Sequence, residues 1–404
     1  MNCISKNHTS TTNSLINKYN ELIETKEIYY NDPPLPNAIL NTFDDVSFEK
    51  IKHFFISNGK HYFFDNEEEY YAHQTEGEKR CKHAFSTYLL GVFCYKHIPS
   101  IKRAFKELCE KIYQDMNEAP SQCNEDVLCK EFLYLWYPAA LYHDIGYCYE
   151  KPDKNIVRSA NYVRQTNIIQ HERIMDKDNI GFFKESLAIP KELIEIVAPY
   201  FKKRLEGFFT ENKCVDHGFA GGLKLYQKMR KAHYDKNNSN ISSPQKNEPD
   251  RLLKYDPKIF KWYNTKSAWA IICHNIYMLL DNKENCKKVE KYIEKGFGDI
   301  VYMQNESFIK LSNHPLLFLL DFVDTLDPFK QFGIDGLDYI EVDTSIDNKL
   351  KICVTGCKRQ CCPFAKKTLK KISSDLDFLK SDTFSVEVDE GDNSITFSFG
   401  QASH

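Results

Sequence analysis

The chain has 404 residues, is 42% hydrophobic, and carries 24 Tyr and 28 Phe; that is apolar bulk enough for one large domain and a smaller one, and it excludes wholesale disorder. A formal net charge of −3, from 54 basic and 57 acidic residues, gives no global bias toward nucleic acid or an anionic membrane. No run reaches the roughly 18 apolar residues of a membrane span, and the best candidate, 132–142, is short and contains Pro138.

Residues 1–41 read as a polar N-terminal arm. They contain no apolar signal-peptide core, the first 35 or so residues are polar and run into NDPPLP at 31–36, and no apolar stripe is visible. A loose arm or an edge-packing extension is expected. Fourteen cysteines in a chain of this length read as reduced thiols, and the expected location is cytoplasmic.

From 42 to 334 the pattern is helical. Ala84, Phe85, Tyr88, Leu89, Val92 and Phe93 recur at helical spacing just after His83, which begins this apolar stretch. Ile101, Ala104, Phe105, Leu108 and Ile112 repeat the pattern, as do Leu193 to Val197, Ala268 to Leu280 and Leu316 to Val323. The stretch from Tyr234 to Asp250, YDKNNSNISSPQKNEPD, has nothing to bury and is expected to be an exposed insert.

The periodicity changes in 335–404. Ile340 and Val342, Leu350, Ile352 and Val354, then Phe384, Val386 and Val388, then Ile395, Phe397 and Phe399 alternate at the strand period. Phe364, Ala365, Leu369, Ile372, Leu376 and Leu379 lie between the second and third runs as an amphipathic helix. The fold class expected is mainly α, with a small C-terminal α+β unit in the order ββαββ.

The chemistry-bearing residues lie in the helical part. An adjacent His143-Asp144 pair closes the apolar run LYLWYPAALY. A neutral imidazole and a carboxylate can hold a divalent metal, which in turn acidifies a bound water. His83 and His274 sit in apolar helical contexts, and His217 lies in CVDHGFAGGL among small residues that admit close neighbours. LLFLLDFVDTLDP places Asp321, Asp324 and Asp327 at i, i+3 and i+6. A buried carboxylate there needs a metal or a cationic partner. The intervals from His83 to His143, His217, His274 and Asp324 are 60, 74, 57 and 50 residues, so the ligands must converge from several helices, as in bundle di-metal sites. Four imidazoles and two carboxylates suit two transition-metal ions, with Asp144 the natural bridge.

The ordered set His83, His143-Asp144, His217, His274 and Asp324 resembles the HD-domain superfamily of metal-dependent phosphohydrolases. AALYHDIGY is similar to the family's LLHDIG core, VDHGFAGG to its DHG element, and FVDTLD to its closing aspartate motif; the last match favours Asp324 over Asp321. The resemblance spans about residues 80–330 and implies an HD-type helical bundle. The two extra histidines resemble the binuclear subset, which includes HD-GYP-type phosphodiesterases and the di-iron oxygenases related to myo-inositol oxygenase. Gly146-Tyr147 stands where cyclic-dinucleotide hydrolases carry Gly-Lys, which counts against that substrate.

The resemblance implies hydrolysis of a phosphate ester, a nucleotide or phosphodiester, with His143 and Asp144 central to catalysis. The cofactors implied are two divalent ions, with Mn, Fe, Co, Ni and Zn not distinguished. A small-molecule substrate is expected, with no nucleic-acid patch and no membrane. The alternatives are a di-iron oxygenase of the myo-inositol oxygenase type and a non-catalytic HD sensor. Lys151, Lys154 and Arg158 follow the pair, and solvated charges are their plainer reading. The cluster Cys353, Cys357, Cys361 and Cys362 lacks the paired C-x2-C knuckles of a zinc ribbon and reads as idle thiols. No Gly-rich phosphate loop occurs, which sets aside P-loop and kinase readings.

Overall fold

A computed structural model describes residues 14–24, 77–115, 125–147, 217–218, 221–222, 225, 263, 265–274, 309–327, 330–331, 340–355 and 362–400, and elements are numbered among these. The helical part comprises α1 (Leu15–Glu24), α2 (Gly77–His97), α3 (Pro99–Asp115), α4 (Glu125–Tyr142), α5 (Thr265–Cys273) and α6 (Pro315–Leu326). Helices α2, α4 and α6 are apolar around most of their circumference, and burial follows. All of 82–94, 131–142 and 315–326 is withdrawn from solvent, which is the mark of a central helix rather than a surface one. By contrast α3 is amphipathic, burying Ile101, Ala104, Phe105, Cys109 and Ile112 while Glu107 stays exposed.

Trp136 of α4 donates its indole N–H to the Tyr88 carbonyl of α2 at 2.9 Å. Ser267 of α5 donates to the Leu135 carbonyl at 2.9 Å. These bonds fix the rotation of α2 and α5 against α4, and so fix which side chains face the centre of the bundle.

One expectation changes at the N-terminus. Residues 15–24 form a helix, with Leu15, Tyr19 and Leu22 buried at i, i+4 and i+7, and it packs on α2. Asn17, Lys18, Asn20 and Glu21 interrupt that stripe, so it passes as polar sequence. Ser14 just before it forms an isolated antiparallel bridge with Glu341, so the segment does pack against an edge strand.

The C-terminal unit comprises β1 (Ile340–Asp343), β2 (Lys349–Val354), α7 (Cys362–Asp375), a short 3-10 turn (Asp377–Leu379), β3 (Phe384–Asp389) and β4 (Ser394–Phe399). All three pairings are antiparallel, in the order β1-β2-β4-β3. The β2 strand buries Leu350, Ile352 and Val354 in strict alternation, as the period-two pattern requires. The sequential order ββαββ is therefore present, and the described structure is mainly helical with one four-stranded sheet.

Helix α6 joins the two parts. Phe318 and Phe322 meet Phe384, Phe397 and Phe399 of the sheet, with ring centroids 5.0–5.4 Å apart for the pairs Phe318–Phe384, Phe322–Phe397 and Phe322–Phe399. At about 100° per residue, Asp324 projects from the opposite side of the same helix. Ser100, at the start of α3, adds a second tie by donating its backbone N–H to Asn348 at 2.7 Å and its hydroxyl to the Phe399 carbonyl at 3.1 Å. Among the described residues, no helix is long and apolar enough to cross a membrane. The segment 193–197, the insert 234–250 and residues 275–280 lie outside the described residues.

Candidate metal centre

Five elements bring the candidate ligands together. His83 sits in the second turn of α2 rather than at its start, because the helix already begins at Gly77. His143 and Asp144 occupy the turn that ends α4. His217 lies in a helical segment, His274 follows the last residue of α5, and Asp324 lies near the end of α6. All are buried.

Glycine explains how the His217 segment gets so close. A Cβ on Gly146, in the His-Asp turn, would collide with the carbonyl of His217, and one on Gly222 would collide with the Ala268 carbonyl of α5. Backbone meets backbone on both sides, which only glycine permits.

The donor atoms form two groups. His83, His143 and Asp144 make one, and Asp144, His217 and His274 the other, with the ligand atoms of each group within 4.8 Å of one another. Asp144 belongs to both. In the first group His83 Nε2 lies 3.2 Å from His143 Nε2 and 3.6 Å from Asp144 Oδ2, and His143 Nε2 lies 3.5 Å from Asp144 Oδ1. Asp324 Oδ1 joins it at 2.9 Å from His83 Nε2 and 3.4 Å from His143 Nε2. Ligand bonds of about 2.0–2.2 Å place neighbouring donors roughly 3.0–3.5 Å apart, so these separations fit a metal polyhedron. The second group is looser, with His217 Nε2 3.8 Å from Asp144 Oδ1.

The backs of the imidazoles are tied down. His143 Nδ1 donates to the Ala140 carbonyl at 2.7 Å, and His274 Nδ1 to the Ile271 carbonyl at 2.6 Å. His83 Nδ1 donates to Asp327 Oδ2 at 2.7 Å, and Ser86 donates to the other oxygen of Asp327. For His143 and His274 the bond fixes the tautomer that leaves an Nε2 lone pair facing the centre, and for His83 it holds the ring with Nε2 toward the centre. His274 Nε2 is buried and has no hydrogen-bond partner. An orphaned, correctly presented lone pair is what a metal ligand looks like without its metal, so the residues present fit a divalent ion.

The charges are consistent with a cation site. Burial alone would raise the Asp144 pKa, but the imidazoles of His143, His83 and His217 outweigh it and hold the carboxyl below the usual carboxylate range. Asp324 is likewise held anionic against burial, by Lys330, His143 and His83. Burial favours neutral His83, yet its bonds to Asp324 and Asp327 raise its pKa to about 9. Burial, with the neighbouring His217 and His143, pushes His274 down to about 3. Asp321 differs from its neighbours. Both its oxygens are buried with no hydrogen-bond partner, and burial followed by the Asp324 charge raises its pKa well above the ordinary value. The structure therefore gathers Asp324, not Asp321, with the histidines.

Three contacts escaped the sequence reading. Asp327 orients His83, although its position in the i, i+3, i+6 series was visible. Lys330 Nζ bonds Asp324 Oδ1 at 2.8 Å. Arg80, one turn before His83, lies with its guanidinium carbon 3.5 Å from the centroid of the Tyr147 ring, and Tyr147 stacks on His217 with centroids 3.7 Å apart and planes at 14°. Cys353 lies on β2 with a free thiol, while Cys357 and Cys361, like Lys151, Lys154 and Arg158, lie outside the described residues. His314 is half-buried at the start of α6.

Compared with protein-family models, curated proteins and solved structures, the chain matches none. The site is defined by its own geometry.

Proposed function

We propose that the chain is an HD-type metal-dependent phosphohydrolase, in which an HD-like helical bundle holds two divalent ions. His83, His143, Asp144 and Asp324 would hold one, and Asp144, His217 and His274 the other, with Asp144 bridging. The observation that carries this reading is the pair of buried donor groups sharing Asp144, in the chain order that the family resemblance implies. Bound there, the ions would supply Lewis acidity, making a water acidic enough to attack phosphorus near neutral pH and offsetting charge on the phosphoryl oxygens.

The protein's own residues do the rest. Asp327, Ala140 and Ile271 fix the rings of His83, His143 and His274, so the site is organised before substrate arrives. The overall change is addition of water across a P–O ester bond. The water's oxygen forms the new bond to phosphorus, the ester oxygen leaves and takes a proton, and alcohol and phosphate result.

The test is metal content per chain by plasma mass spectrometry, with hydrolysis of p-nitrophenyl phosphate followed in the absence of oxygen. About two Mn, Fe, Co, Ni or Zn equivalents and anaerobic turnover are expected. Asp144→Ala should lose both ions and the turnover, and His274→Ala should lose one ion. Wild-type turnover retained in Asp144→Ala would sink the assignment. The four-imidazole donor set also suits iron, and two irons with oxygen-dependent turnover would instead support an oxygenase. A full metal complement without turnover on any ester would support a sensor.

A further inference from the structure

Two cations border the candidate centre, and their placement bears on the substrate. Side-chain exposure is 0% for His143, 3% for Asp324, 8% for Asp144 and 9% for His217. It rises to 21% for Arg80 and 44% for Lys330. The two cations are therefore the more exposed of these charged groups.

We propose that Arg80 and Lys330 are the two arms of a phosphoryl clamp, and that the group they take is the dianionic phosphate of a phosphomonoester. This inference rests on the metal-hydrolase reading. Each arm leans on a different ligand carboxylate. Lys330 Nζ bonds Asp324 Oδ1 at 2.8 Å, and an ammonium has further donors to offer. Arg80 reaches Asp144 Oδ2 at 3.6 Å, close enough for Coulomb attraction but too long for a hydrogen bond. The planar fork of guanidinium donors beside Asp144 suits phosphate.

The Arg80 arm is held in place. Its guanidinium lies over Tyr147, whose other face stacks on His217. A cation–π contact and a ring stack thus link the arm to a candidate metal ligand, which restrains the position of its charge relative to the centre.

Charge decides between substrate classes. Among the described residues, two divalent ions would outweigh the carboxylates Asp144, Asp324 and Asp327 by one, and Arg80 and Lys330 would raise that surplus to three. A phosphomonoester dianion with an attacking hydroxide balances it. A diester monoanion leaves one positive charge over, and a neutral organic substrate leaves more. A low-dielectric site strengthens such differences.

The test titrates metal-loaded protein with inorganic phosphate by calorimetry, in wild type, Arg80→Ala and Lys330→Ala, with metal content measured on each sample. Methyl phosphate and dimethyl phosphate serve as comparison ligands. All three proteins should keep about two ions, and each substitution should weaken phosphate about 10- to 100-fold, the worth of one charge-assisted bond. Wild type should favour methyl over dimethyl phosphate, and the variants should lose much of that preference. Unchanged phosphate affinity in the variants would overturn the clamp and leave the hydrolase reading standing. Equal binding of dimethyl phosphate would overturn the monoester assignment. Loss of metal in either variant would recast that residue as part of the metal site and overturn its role as an arm. A wild-type protein that binds no transition metal would remove the hydrolase reading, and the clamp with it.

Discussion

Asp327 lies 244 residues beyond His83 in the chain, and its Oδ2 accepts the Nδ1–H of that imidazole at 2.7 Å. Ser86, three residues after His83 on α2, holds the other oxygen. The carboxylate thus orients the ring and raises its basicity without reaching the centre itself. Asp327→Asn should keep the fold but weaken metal binding at the first donor group about 10- to 100-fold, the usual cost of losing such a partner. Competition with a metal-indicating dye measures it. Wild-type affinity in the variant would show that the bond does not tune the ligand.

Asp321 and Asp324 lie one turn apart on α6 and should respond oppositely to the same change. Asp324 is the anionic partner of His83, His143 and Lys330. Asp321 is buried without a hydrogen-bond partner, a costly state for a polar group. Asp321→Leu should keep the metal complement and raise stability by about 1–3 kcal/mol, the cost of a buried unsatisfied group. Asp324→Leu should lose an ion. Metal content and urea midpoints on the two variants decide it, and loss of metal in Asp321→Leu would reassign the ligand.

Much of this organisation was legible in the sequence, and the gaps have a common cause. The apolar spacing in α2 and α3 and the alternation of β2 and β4 arise within single elements, so periodicity reports them directly. The gathering of His83, His143, Asp144, His217, His274 and Asp324 was inferred because buried polar side chains in apolar helices must find partners. Periodicity tells which face a residue occupies, but not what it meets there. The bond between Asp327 and His83, the bond between Lys330 and Asp324, and the stack of Arg80, Tyr147 and His217 each cross between elements and have no local signature. Helix α1 escaped for a different reason, since it is short and its apolar residues are interrupted by Asn17, Lys18, Asn20 and Glu21.

The metal-free protein should lose stability as pH rises above 6.5. His83 is raised to about 9 in the fold against about 6.5 unfolded. Its contribution is therefore complete below pH 6.5 and is lost as pH climbs through 9, at up to about 1.4 kcal/mol per pH unit for one proton. His274 is depressed to about 3, so its protonation lowers stability as pH drops from 6.5 toward 3, while the raised Asp321 carboxyl works in the opposite sense as it protonates over the acid range. Asp144 and Asp324, held below the ordinary range, add to the loss only in strong acid. A metal ligand must be unprotonated, so loading should abolish the alkaline slope and release about one proton from His83 at pH 7.5. Urea unfolding across pH, with and without metal, tests both limbs. A flat alkaline limb in the metal-free protein would rule out the raised His83.

Helix α6 should couple the sheet to the candidate centre, because one face carries Phe318 and Phe322 and the other carries Asp324. Phe322 is fully buried and meets three sheet phenylalanines, Phe384, Phe397 and Phe399. Phe322→Ala should cost about 3–5 kcal/mol through lost burial and the cavity left behind, whereas Phe322→Leu, which retains most of the volume, should cost less. Lower urea midpoints with an unchanged slope would mark these as stability losses of one cooperative unit. If the helix transmits the loss, metal affinity in Phe322→Ala should fall at the group containing Asp324 while His217 and His274 keep theirs. A separate early transition for the sheet, with the helical part and its metal affinity unchanged, would show instead that α6 serves the two parts independently.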